Sequence, residues 1–539
     1  MGLWIRQIGM LAAQRILPIS RERPRTNAYN PSEGAMLLAM RGLRWIGERC
    51  WRWAPTGLAS VLVVVICIKA VMAVDYGWDS LAYHIPFEAL RAGLLTPWQL
   101  QLPPPGSGDL SDYYLGFPIL GDLIRGWMWR LSGWPDSVNL FGIICLLALV
   151  GYLKWAFRLE GSWVLIGLLA VPAVQTAAAS NYVDIPASAM LTVMLLSICD
   201  LWINPEKFTR PAPWLVLFVA GFAAANMKLQ ISVFAMLALP FVLPPAWQLL
   251  RRHHIRGPAI AGFALAGLCA GLLIGANLVK NLVLFGNPLF PITVTIAGIK
   301  LQGTWPEAAW VKLGRPWENL PTPVQWLVSV TEFHSLDGRG NPYTNGMGDV
   351  PLTALSHSMG GSFFALVVVS ICFLVLALLH RRDRAAITLL VGLAITTLII
   401  AFVPNGQNLR YVMFWMMYMI IGCLLLLRTP ELAPYLQSYK IFLFSALVFV
   451  TSVTGGFFFK PVWMPMQAYV DQTRLDKLLD EYVTAGGVIC LEQGNGEWDN
   501  RYTILFASIF HQELARERPY GVKQGHCTGQ KIVPRANWR

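Results

Sequence analysis

The chain is 539 residues long, 55% hydrophobic and only 13% charged, with a mean hydropathy of +0.50. An average soluble domain carries about 25% charge, and soluble cores divide at ~250–300 residues, so this composition excludes a soluble enzyme, a secreted factor and a disordered chain. The net charge of +12, from 42 Lys+Arg against 30 Asp+Glu, sits in short segments between apolar runs, which is the pattern of cytoplasmic loops rather than of nucleic-acid binding.

The first 53 residues carry nine arginines, from Arg6 to Arg52, ahead of the first long apolar run. That places the N-terminus in the cytoplasm, with residues 34–47 as an amphipathic helix along the inner membrane surface. Continuous apolar runs then predict spans at 55–74, 138–157, 161–179, 185–203, 212–227, 230–248, 258–283, 363–380, 385–403, 409–427 and 440–459. Runs that are continuous rather than alternating also disfavour a β-barrel. The apolar segment 115–132 contains Asp122, Arg125 and Arg130. Leaving it out of the membrane puts the clusters Lys154/Arg158, Lys207/Arg210, Arg251/Arg252/Arg256, Arg381/Arg382/Arg384 and Arg428/Lys440 on one side, so it is read as a juxtamembrane helix on the outer surface. The expectation is an all-α polytopic membrane protein of about eleven transmembrane helices (54–459), with outer loops 75–137 and 284–362. Residues 460–539 form a small α/β extracytoplasmic cap with its strand in GVICLEQ.

Of nine cysteines, six lie in apolar runs as packing residues, and no metal-binding spacing occurs. Cys490 and Cys527 lie in the polar tail, where an oxidising compartment would allow them to pair. No internal repeat is visible, which disfavours a lipid or glycan transporter built on inverted repeats.

The polar residues that carry chemistry gather at the outer boundary. The first span ends in AVDYGWDSLAYHIPFEALRAG, which places Asp75 and Asp79 at the outer surface, Tyr83 one helical turn after Asp79, and His84 beside it. The short turn SNYVDIPAS carries Asp184. Each aspartate alone reads equally as a helix cap. Together they offer two carboxylates at one cleft, suited to acid/base work or to a divalent cation. Cations on the outer side run against the positive-inside bias. Lys280, Arg410 (followed by Tyr411) and Lys228 are therefore candidates for an anionic ligand such as a lipid phosphate. Loop 331–357 contains His334, Asp337, Asp349 and His357, read as a solvated loop or an acceptor-side lid.

In order and spacing, these segments resemble the GT-C superfamily of polytopic glycosyltransferases, which includes protein O-mannosyltransferases and lipid A aminoarabinose transferases. WDSLAYHIPFEALRAG resembles the acidic first outer loop, YYLGFPILGDLIRGWMWRLSG the juxtamembrane helix, NYVDIPAS the second acidic motif, and GNPLFPI and NLRY later landmarks. The resemblance implies transfer of a sugar from a polyprenyl-phosphate donor to a glycan, lipid or protein acceptor at the periplasmic face of a bacterial inner membrane. It implies Asp79 as the base and Asp184 as a residue that orients the acceptor or helps hold a divalent cation, with Asp75, Tyr83, His84 and Tyr411 as accessory groups. Some relatives hold the donor phosphate with a Lys in the juxtamembrane helix. YYLGFP has none, so that role passes to Lys228, Lys280 or Arg410. The N-terminal segment and the tail have no counterpart, which leaves room for a protein partner and for an alternative role as a non-catalytic scaffold subunit.

Overall fold

The computed structural model describes residues 53–73, 75, 79–95, 100–101, 110–254, 257–296, 298–304, 320–331, 361–403, 406, 408–458, 464–468, 488–491, 521–524 and 531–532. The basic segment 34–47, the residues of loop 332–357 and Cys527 lie outside the described residues.

Long apolar helices dominate. Among the described residues eight are long and apolar enough to cross a membrane: Trp53–Met72, Pro135–Phe157, Asp184–Ile203, Leu229–Arg252, Phe364–Arg381, Arg384–Phe402, Leu409–Leu426 and Pro430–Ser452. A ninth is the pair Pro258–Ile274 and Ala276–Phe285, bent by 68°. The other two expected spans fall short of this length. Pro211–Met227 is a 17-residue helix, and the expected span 161–179 breaks into Gly161–Leu169 and Pro172–Ala177. The break falls at Pro172, where a helix interior loses a backbone donor and meets the proline ring. The polytopic all-α architecture is as expected, while the count reached by length and composition is eight, or nine with the bent pair, rather than eleven.

The outer helices of the bundle present apolar stripes rather than buried faces. In Gly361–Arg381 the exposed residues Phe364, Val368, Ile371, Val375 and Leu379 follow a helical spacing of three and four. On a soluble protein such a patch would drive aggregation; here it is the surface that lipid covers. Two helices are instead central. In Asp184–Ile203 and Leu409–Leu426, 83% and 89% of the most apolar 18-residue stretch is buried, against 22–44% for the other six long helices. The two central helices begin with Asp184 and with the turn that carries Arg410.

Segment 115–132 does not form a helix of spanning length. It forms Leu120–Ser132, which buries Asp122, Arg125, Gly126 and Trp129 and exposes Trp127 and Leu131. The polar face turns inward and apolar residues turn outward, the arrangement of a helix lying in the interface. It crosses the helix Ile85–Arg91 at Gly126, where a Cβ would stand 2.3 Å from the Glu88 carbonyl oxygen. Only glycine permits that approach.

The tail contributes strands. Leu100–Gln101, Gly521–Gln524, Val488–Leu491 and Lys531–Ile532 form, in that order, a four-stranded all-parallel sheet. The strand expected in GVICLEQ is Val488–Leu491, and it belongs to a sheet that also recruits the first outer loop.

Candidate active site

Asp79 and Asp184 line one cleft, and neither makes a capping bond with its side chain. Asp79 precedes a π-helical turn, Ser80–His84, with helical backbone angles and no capping bond from its side chain. Asp184 begins the central helix Asp184–Ile203, whose N-cap is Val183, again without a side-chain cap. Their carboxylates point to cations instead. Arg410 Nη2 donates to Asp79 Oδ2 at 2.5 Å, and its Nε lies 3.5 Å from Asp184 Oδ1. Lys228 Nζ donates to Asp184 Oδ1.

The chain reaches this arrangement by breaking its helices at the right places. Lys228 is an extended residue between the helices Pro211–Met227 and Leu229–Ala238. Arg410 lies in the 3-10 turn Leu409–Val412, ahead of Met413–Leu426. Aromatic faces hold both cations: Lys228 Nζ is 4.1 Å from the Tyr411 ring, and Arg410 Cζ is 4.7 Å from Tyr182 and 5.1 Å from Tyr411. A desolvated cation over an aromatic face gains ~2 kcal/mol or more. All four residues are at most 8% exposed. Two acids and two bases make a closed, charge-matched quartet.

Tyr83, His84, Asp122 and Tyr411 line the same cleft as the quartet, and its volume is about 60 Å³. Small-molecule sites usually measure ~300–1,000 Å³, so this cleft is closed in this structure.

A second buried network lies behind His84. Arg125, 1% exposed, reaches Glu88 Oε1 at 3.0 Å, Asp122 Oδ1 at 2.7 Å and Asn181 Oδ1 at 2.5 Å, and it also donates to the Asn181 carbonyl. Asn181 N–H and Ser80 Oγ donate to Asp75 Oδ2, each at 2.7 Å. These bonds tie the helices of the first outer loop to the turn that carries Asp184. Burial raises the Glu88 carboxyl to about 8 in spite of Arg125. Burial also works against the Asp122 charge, but His84 and Arg125 outweigh it and hold that carboxyl below its ordinary value. Burial and the Arg125 charge push the His84 imidazole down. At neutral pH the cluster is therefore Arg125⁺ with Asp122⁻, a protonated Glu88 and a neutral His84.

Ligand atoms of His84, Glu88 and Asp122 lie within 4.8 Å of one another, a spacing that suits a metal ion. The Arg125 guanidinium already supplies a cation there, and Arg410 and Lys228 do the same for Asp79 and Asp184. Neither donor set fits a resident divalent cation.

Two expectations about individual residues change. Lys280 does not join the quartet: its ammonium donates to the Leu115 carbonyl. Beside it, Asn277 and Asn281 hold the Gly116 carbonyl at 3.2 and 2.8 Å, so the helix Ala276–Phe285 clamps the helix Leu110–Gly116. Asp75 ties Ser80 to Asn181 and stands outside the cleft lining. Glu88 and Asn181 escaped the sequence reading. Asp122 and Arg125 entered it only as reasons against a span, although an acid and a base three residues apart on an apolar helix already mark a functional position.

No family profile matches the chain, and no curated protein sequence matches it. Among solved structures it is similar to ArnT from Cupriavidus metallidurans bound to undecaprenyl phosphate, with 12% identity, 88% of this chain and 89% of that chain covered, and a TM-score of 0.47. It is also similar to ArnT from Cupriavidus metallidurans in the apo state, with 13% identity, 88% and 90% covered, and a TM-score of 0.35. Neither likeness assigns a reaction to this chain.

Proposed function

We propose that this protein is a GT-C-type membrane glycosyltransferase. It transfers a sugar from a polyprenyl-phosphate donor to an acceptor at the outer face of a bacterial inner membrane. The observation that carries the proposal is the quartet of Asp79, Asp184, Lys228 and Arg410, assembled from four separate chain segments in one cleft. The reaction requires both signs of charge. The acceptor hydroxyl loses a proton as its oxygen attacks the anomeric carbon, and a carboxylate takes that proton. The bond from that carbon to the phosphate oxygen breaks, and its electron pair leaves on the phosphate, which cations stabilise.

In this reading the donor phosphate competes with the aspartates for Arg410 and Lys228. Its entry draws the cations onto the phosphate and releases Asp79 to act as base, while Asp184 orients the acceptor. Tyr411 and Tyr182 keep the cations in place during the exchange. The pairing of Leu100–Gln101 with Gly521–Gln524 supports a tail on the same side as Asp79, which is the side assigned to the periplasm by the positive-inside pattern.

The test is binding of undecaprenyl phosphate to the purified full chain in lipid nanodiscs. We expect saturable binding that weakens at least tenfold in Arg410→Gln. Binding no tighter than that of phosphatidylglycerol, or unchanged by Arg410→Gln, would overturn the proposal.

A further inference from the structure

We infer that His84 is a second proton-transfer group of this site: its Nε2 takes the acceptor's proton onward from Asp79, while Asp122 holds the ring through Nδ1. The inference rests on the transferase reading and deepens it.

Three observations lead to it. The first is the π-helical turn Ser80–His84, closed by the Ile85 N–H donating to the Ser80 carbonyl. Bonds between residues five apart bring such residues onto one face, and Asp79 and His84 are five apart. An ordinary α-turn would align Asp79 with Tyr83 and rotate His84 away. A π-turn within a helical segment has a cost in stability, and such turns recur at functional sites.

The second is the hydrogen bonding of the ring. Nδ1 lies 2.9 Å from Asp122 Oδ1. Arg125 Nη2 stands 3.0 Å from the same Nδ1 and 2.7 Å from Asp122 Oδ1; its N–H goes to the closer, anionic Oδ1, and because an ionised carboxylate only accepts, the proton of the His84–Asp122 bond is on Nδ1. That tautomer leaves the lone pair on Nε2. The third is location: His84 lines the same cleft as Asp79, Asp184 and Arg410, although it is 4% exposed overall.

The step balances without a co-reactant. The acceptor O–H bond breaks toward Asp79 as the glycosidic bond forms, and the proton passes to Nε2. The resulting imidazolium faces Asp122, and the proton leaves to water when product departs. The groups facing His84 are Asp79, Tyr83 and Glu88 on its own segment, Asp122 and Arg125 on Leu120–Ser132, Tyr182 and Asp184 from the turn, and Arg410. Burial and Arg125 keep the imidazole neutral at neutral pH, so it is ready to accept. Its protonation at lower pH blocks the step.

The experiment compares wild type with His84→Gln in nanodiscs, measuring undecaprenyl phosphate affinity and the pH profile of sugar transfer. We expect His84→Gln to keep its lipid-phosphate affinity within about twofold, to lose roughly 10²-fold in transfer rate, and to lose the fall in rate that wild type shows as pH drops below about 6.5. Full transfer with the acid limb intact would overturn the role of His84 and leave the transferase reading standing. Absence of both lipid-phosphate binding and transfer in wild type would overturn the transferase reading, and this inference with it. If the variant does not fold, deuterium exchange at the His84 imidazole C2 in wild type decides. A titration midpoint below about 6.5 that undecaprenyl phosphate raises supports the assignment. A midpoint that the lipid leaves unmoved overturns it.

Discussion

Arg410 and Asp79 are 331 residues apart in sequence, and their side chains meet at 2.5 Å in the interior of the protein. The same guanidinium lies 3.5 Å from Asp184, so one arginine spans the carboxylates of both outer junctions. The contact makes the resting site neutral and closed, and it makes the behaviour of the aspartates depend on what else claims Arg410.

Asp79→Asn separates binding from chemistry. The amide keeps the size of the side chain but gives up the charge that competes for Arg410. We expect undecaprenyl phosphate to bind at least as tightly as in wild type, while transfer falls ~10²–10⁴-fold. Equal loss of binding and transfer would show that Asp79 supports the fold of the cleft rather than the proton transfer.

Lys280 and Lys228 are expected to part company. Lys228→Ala removes the closer partner of the buried Asp184 and leaves it the Arg410 guanidinium at 3.5 Å, and breaking a buried pair costs ~3–5 kcal/mol. Its thermal midpoint and its lipid-phosphate affinity should both fall. Lys280→Ala removes a donor to the Leu115 carbonyl and should leave the affinity within about twofold, with a stability loss of ~1–3 kcal/mol from the orphaned carbonyl. Calorimetry and lipid titration on the two variants check this.

Glu88 gives the fold a pH dependence of unusual sign for a carboxylate. Its pKa is raised from an ordinary 4.5 to about 8 in the folded protein, so between those values the folded state binds a proton that the unfolded state does not. The Glu88 contribution to stability is therefore full below about 4.5 and is lost as pH rises through about 8. Glu88→Gln should flatten this slope. A melting series from pH 5 to pH 9 on both proteins measures it, and parallel curves would show that Glu88 is not the group responsible.

Asp75→Asn tests the scaffold behind the cleft. Asp75 accepts from Ser80 and from the Asn181 backbone, and an amide can replace only part of that acceptance. We expect a stability loss of ~1–3 kcal/mol with little change in transfer at matched folded protein. A selective loss of transfer would move Asp75 into the reacting site.

For the topology, a periplasm-active reporter fused after Arg539 should be active. Activity only of a cytoplasmic reporter would remove Asp79 from the outer face.

The sequence makes some of this structure legible and hides the rest for physical reasons. Long apolar runs identify the spanning helices because lipid demands them. The break at Pro172 and the bend after Ile274 are invisible to a hydropathy window, which averages over them. Asp79, Asp184, Lys228 and Arg410 stand out because they interrupt or abut apolar runs, and the two cations fall on the side that the positive-inside bias leaves poor in Lys and Arg. That they pair with one another cannot be read from spacing, since no two of the cationic and anionic partners share a helix. The Arg125 network is hidden for a different reason. Asp122 and Arg125 look like solvent-facing residues of an interfacial helix, and only the packing against Ile85–Arg91, permitted by Gly126, turns them inward. The misplacement of Lys280 has the same origin: proximity to the outer boundary says nothing about whether a long side chain bends toward the cleft or toward a carbonyl.

The short parallel sheet sets an order of assembly. Leu100–Gln101 receives its partner strand from a segment about 420 residues further along, and at translation rates of ~5–20 residues per second that partner emerges roughly 20–80 seconds later. Throughout that interval the first outer loop has been delivered but its strand is unpaired, exposed to other edges or to a chaperone. Arg410 likewise arrives long after Asp79, so the early acidic loop waits without its counter-charge. Any variant that slows synthesis or insertion of the later half therefore exposes the earlier half to misassembly, and defects in maturation should trace to the lag between the two rather than to either segment alone.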